Sequence, residues 1–111
     1  MQADVSRCLK CSSTRLARSV RPLFFADLSI AECYGAKGVK DTYRQVMRSW
    51  GKNLDFMCEW VVCLNQKIWQ HHDTNNYILA KVYDELWRKA DDYCRNHFKG
   101  EELSKYYAYI D

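Results

Sequence analysis

The sequence predicts an all-α fold, a small bundle built on a long antiparallel helical hairpin, and three observations carry that expectation. Between Asp41 and His72 the apolar residues Tyr43, Met47, Trp50, Leu54, Met57, Val61, Leu64 and Ile68 alternate in steps of four and three, which lays one stripe along a helix. Leu79, Tyr83, Leu86, Ala90, Tyr93 and His97 repeat the pattern after a turn signal, with Val82, Trp87 and Cys94 widening the stripe. One proline and four glycines in 111 residues favour long helices over a turn-rich β fold.

Residues 1–22 read as a basic arm. They hold Arg7, Lys10, Arg15, Arg18 and Arg21 against Asp4 alone, a balance of +4, whereas the other 89 residues carry twelve basic and thirteen acidic groups. Charge concentrated in a Ser- and Arg-rich arm fits contact with an acidic surface, so these five side chains are the candidates for touching nucleic acid. The remainder, 23–111, reads as one helical domain.

Pro22 suits the first turn of a helix over about 22–34, in which Phe24, Leu28 and Ala31 share a face. Gly35 to Gly38 then reads as a loop. The main helix is expected over about 41–72, capped by Asp41 or Thr42, with Gly51 in its interior as a kink or a point of close approach. At about 1.5 Å per residue it would span roughly 48 Å.

This helix has more than one apolar side. Phe56, Trp60 and Cys63 flank the stripe on one edge, and Cys58, Val62 and Trp69 on the other. A helix apolar most of the way round has to be covered on several sides. The first helix of the chain or a second subunit would do so, which makes Phe56, Trp60, Val62, Cys63 and Trp69 candidate interface residues and a homo-oligomer the expected state.

Histidines 71 and 72 are read as the helix's exposed end, where positive charge is favourable. Asp73 or Thr74 would cap the last long helix, about 75–98, whose outer face spaces Lys81 with Glu85, Asp84 with Arg88, Glu85 with Lys89, and Asp91 with Arg95 four apart. The short turn makes the two helices antiparallel. Gly100 closes the second, and a final helical turn brings Tyr106, Tyr107 and Tyr109 back over the hairpin's end.

From about Leu23 to Asp111 the stretches LFFADLSIAECYGAKGVKDTYR, LNQKIWQHH, YDELWRKADDYC and FKGEEL resemble a group of small proteins of Bacteroides-type gut bacteria, often encoded near mobile elements. Those proteins have no assigned activity, so the resemblance implies a bacterial cytoplasmic setting and no site residue. Cysteine usage agrees. No apolar leader follows the N-terminal charges, and Cys58 and Cys63 lie about 140° apart on one helix, so the six cysteines are expected as free thiols in a reducing compartment.

The chemistry-bearing motifs are thin. Cys8-x-x-Cys11 has the spacing of half a zinc site, and Cys94-x-x-His97 would have to supply the other half from a position that the apolar stripe already explains. Asp84-Glu85, Asp91-Asp92 and Glu101-Glu102 diverge as helical neighbours, and Gly35-Ala-Lys-Gly38 lacks the spacing of a phosphate loop. The Met57–Leu64 run is too short to span a membrane and contains Glu59. The expectation is therefore a non-enzymatic helical interaction or scaffold protein that self-associates, without cofactor, metal, membrane or small-molecule substrate. The alternative is a nucleic-acid-associated protein working through its basic arm.

Overall fold

The computed structural model describes residues 21–111, with side chains from residue 27 onward. Among the described residues five helices follow one another: α1 Arg21–Glu32, α2 Gly35–Trp50, α3 Leu54–Asp73, α4 Tyr77–His97 and α5 Glu101–Ile110. The expected small all-α bundle is present. Its spine is the antiparallel pair α3 and α4, packed together from His71 against Tyr83 at one end to Cys58 beside Cys94 toward the other.

The helix expected over 41–72 is two helices. Helix α2 closes at Gly51 and α3 opens with Asn53, whose side-chain oxygen accepts the Phe56 N–H at 3.0 Å. Two weak helix formers, Gly51 and Asn53, the second of them also a good cap, therefore interrupt a stripe whose apolar phase runs on unbroken. The Tyr93 hydroxyl donates to the Gly51 carbonyl at 2.9 Å, and Trp50 stacks on Phe56 across the break with ring centroids 3.8 Å apart. A Cβ on Gly51 would crowd the Met47 carbonyl and that hydroxyl, so the close approach expected at Gly51 is made by a tyrosine.

Gly35 to Gly38 is not a loop. It is the first turn of α2, entered through Gly35 at φ +75°, a left-handed conformation open to glycine. A Cβ at Gly38 would press into the Ala31 carbonyl, so this glycine sets how closely α2 lies on α1. Asp41 is thus interior to α2 and, instead of capping it, receives Lys37 at 2.9 Å and Arg44. The next cap is Asn76, which accepts from the Leu79 N–H, whereas Thr74 ends α3 and Asn75 turns the chain at φ +62°.

Helix α3 is buried on several sides, as its sequence requires: Met57, Cys58, Trp60, Val61, Cys63 and Leu64 are all inside. The cover comes from the chain itself. Helix α4 lies along one side, α1 and α5 touch others, and Tyr43 of α2 stacks on Trp60 at 6.2 Å. From α5, Tyr106 is fully buried and donates to Asp91 at 2.6 Å, while Tyr107 lies under the Arg95 guanidinium. Of the four charge pairs expected on α4, Asp84–Arg88 and Asp91–Arg95 form.

Candidate functional site

Two places stand apart from the apolar packing: a polar cluster in the interior and an aromatic end of the hairpin. The cluster is centred on Glu32, in the last turn of α1. Three donors converge on its Oε2: the Tyr83 hydroxyl at 2.5 Å, His71 Nε2 at 2.9 Å and Lys67 Nζ at 3.1 Å. Lys67 is only 1% exposed and also reaches the Ser29 hydroxyl at 3.4 Å. His71 lies flat on the Tyr83 ring, 5.5 Å between centroids and 6° from parallel. Because an ionised carboxylate can only accept, His71 Nε2 carries the proton in this bond.

Burial, the largest single influence on Glu32, favours its neutral acid. The hydrogen bonds from Tyr83 and His71 and the charge of Lys67 together outweigh it and hold the carboxyl below its ordinary range. Tyr83 is pushed the other way, chiefly by burial and then by the carboxylate it serves. A buried ammonium and carboxylate cost several kcal/mol each to desolvate and are tolerated where hydrogen bonds complete them. Here those bonds tie α1 to both arms of the hairpin, so the cluster can act as a clasp.

The second place is the hairpin's end. Trp69 is 58% exposed and Ile78 75% exposed, with Tyr77 similarly open. His72 bridges the two rings, 5.7 Å from that of Trp69 and 5.3 Å edge-on to that of Tyr77. From residue 69 to residue 78 the exposed His, Asp, Glu, Lys and Arg side chains are His72 and Asp73, with exposed Lys81 one turn further along α4, so the patch carries few charges.

The five interface candidates separate accordingly. Trp60 and Cys63 are 0% exposed, sealed inside the protomer, and cannot meet a second chain while it stays folded this way. Phe56 is half-buried under Trp50, and half-buried Val62 lines a groove of about 360 Å³ with Trp87 and Ile110. Only Trp69 stands clear. Arg7, Lys10, Arg15 and Arg18 lie outside the described residues, as do Cys8 and Cys11; Arg21 opens α1, but its side chain lies outside them too.

Cys94 and His97 do not converge. The Cys94 thiol is in the core, pushed up to about 12 chiefly by burial, while His97 is exposed and stacks on Tyr93. Among the described residues no group of three His, Cys, Asp or Glu side chains could hold a metal ion, and no helix is long and apolar enough to cross a membrane.

The reading of His71 as an exposed helix end is corrected: it is buried and engaged, and only His72 is outside. The clasp had a signal in the sequence. Trp60, Cys63, Lys67 and His71 follow one another in steps of three, four and four, which puts a lysine and a histidine in phase with buried positions. No protein-family model, curated protein or solved structure matches the chain.

Proposed function

We propose that this is a non-enzymatic helical interaction protein that associates with a second copy of itself through the aromatic end of its α3–α4 hairpin. The observation that carries this reading is that exposed Trp69, Tyr77 and Ile78 fall together at one end of the hairpin, with His72 in ring contact with Trp69 and Tyr77; Ile30 and Tyr34, equally exposed, lie on α1 and just after it. An isologous dimer sets one patch against itself, and a surface with so few charges meets its copy without like-charge repulsion.

The energetics fix the regime. Fully burying a large apolar side chain contributes about 1.5–3 kcal/mol. Six such side chains across two copies, each roughly 60% exposed beforehand, contribute about 5–11 kcal/mol. Lost freedom on association costs about 4–15 kcal/mol, so micromolar or weaker binding is expected. Light scattering after size exclusion at high micromolar concentration tests the reading. The wild type should exceed its 13.2 kDa protomer mass, and Trp69→Glu combined with Ile78→Glu should return it to the protomer. A wild type that stays monomeric throughout contradicts it.

A second reading rests on the charge segregation, +4 within residues 1–22. If the arm grips phosphates through five basic groups, affinity for duplex DNA should fall with salt at a log–log slope of about −4.5. Removing residues 1–20 should weaken binding; unchanged affinity, or no binding at low salt, refutes this reading.

A further inference from the structure

The break between α2 and α3 has an unusual property. Met47, Trp50, Leu54 and Met57 keep steps of three, four and three straight through Gly51–Asn53, so the residues on either side remain in one helical phase. A loop that merely joined two independent helices would have no reason to preserve phase. We propose that Gly51–Lys52–Asn53 is a hinge that also adopts helix, and that the opened chain exchanges its α1–α2 arm with a second copy.

What would exchange is visible in the closed protomer. Leu28 of α1 and Val39, Tyr43 and Val46 of α2 are buried in the common core, and Glu32 is clasped by Lys67, His71 and Tyr83. The arm of one copy can take the same seat on the hairpin of another, with every one of those contacts reproduced between chains. Core and clasp therefore favour neither form. The balance lies in the association cost and in what is local to the hinge: the Tyr93 bond to Gly51, the Trp50–Phe56 stack and the Asn53 cap.

The hinge residues hold the chain closed because glycine and asparagine are poor helix formers and Asn53 caps only the broken form. In the closed form there is also no room for a Cβ at Gly51. Changing both Gly51→Ala and Asn53→Ala should favour the open hinge on the order of 30-fold. Two hinges open per dimer, so the dimerisation constant should rise on the order of 1000-fold. This mode uses residues distinct from the aromatic hairpin end and stands or falls separately from that association.

The experiment is done on the full chain carrying Trp69→Glu and Ile78→Glu, which removes the other contact. Light scattering gives the mass, and nitroxides introduced at positions 40 and 70 through a bioorthogonal amino acid, with the labelled protein refolded in a large excess of unlabelled protein so that a dimer carries spins on one chain alone, give a distance within one chain. Both positions are exposed. In a continuous helix they stand about 45 Å apart, beyond the 39 Å longest extent of the closed protomer. The alanine pair should yield dimers with the long distance. Tyr93→Phe, which leaves the hinge sequence intact and removes only its hydroxyl, should shift the balance the same way by a smaller factor. Three glycines inserted after Lys52 should abolish the dimer. Monomers from both the alanine pair and Tyr93→Phe, or dimers that retain the short distance, overturn the proposal.

Discussion

Replacing Glu32 tests the clasp at its centre. Glu32→Gln keeps the shape of the side chain and takes a full charge away from three donors at 2.5, 2.9 and 3.1 Å, one of them the Lys67 ammonium buried in the core. Breaking a buried pair from one side costs about 3–5 kcal/mol. Tyr83→Phe removes a single bond to a charged acceptor and should cost about 1.5–3 kcal/mol. Because both changes act on Oε2, their effects should not add: the double variant should lose less than the sum by 0.5 kcal/mol or more, as residues of one network do. Urea unfolding followed by circular dichroism measures all four proteins. A domain of this size has about 5–15 kcal/mol to lose, so each single variant should remain folded in buffer. A Glu32→Gln variant within about 0.5 kcal/mol of wild type would show that the clasp carries no stability, and the account of α1's anchoring would fail.

The clasp also sets a pH dependence. Glu32 is held below its ordinary 4.5 in the folded state, so its contribution is complete above that value and drains away as pH falls through the folded one; acid titration of Glu32→Gln should accordingly show a shallower loss below about pH 4.5 than wild type. Thiol chemistry reads the core. Cys58 is pushed up to about 11 and Cys94 to about 12, chiefly by burial, so a thiolate-selective reagent at pH 8 should modify exposed Cys33 quickly and these two only on unfolding. Asn76→Ala should cost α4 its cap, about 1 kcal/mol by urea unfolding; an unchanged midpoint would refute that role for the side chain.

The helical class, the hairpin and the many-sided burial of α3 were legible because periodicity reports which face of a helix is apolar. Periodicity could not report continuity. The stripe from Tyr43 to Ile68 keeps phase through residues 51–53, and Asn53 as a cap was the signal that distinguishes two helices from one. Nor does a count of apolar faces say which chain covers them: Trp60 asked for a cover, and Tyr43 of the same chain supplies one. Lys67 and His71 lay in phase with the buried stripe, but their partner Glu32 is 35 and 39 residues away, a distance that local pattern cannot cross. The stripe that begins at Leu79 is buried from that residue to Ala90, whereas Tyr77 and Ile78, the first two residues of α4 and outside the stripe, are exposed.

The self-association through the hairpin's end is tested most directly by an isotope-filtered NOE experiment on a mixture of ¹³C-labelled and unlabelled protein at high micromolar concentration. Cross-peaks between the Ile78 methyl groups of one copy and the Trp69 or Tyr77 ring of the other are the expected result. Intermolecular peaks that arise only elsewhere, or none at a concentration where scattering shows a dimer, would contradict it.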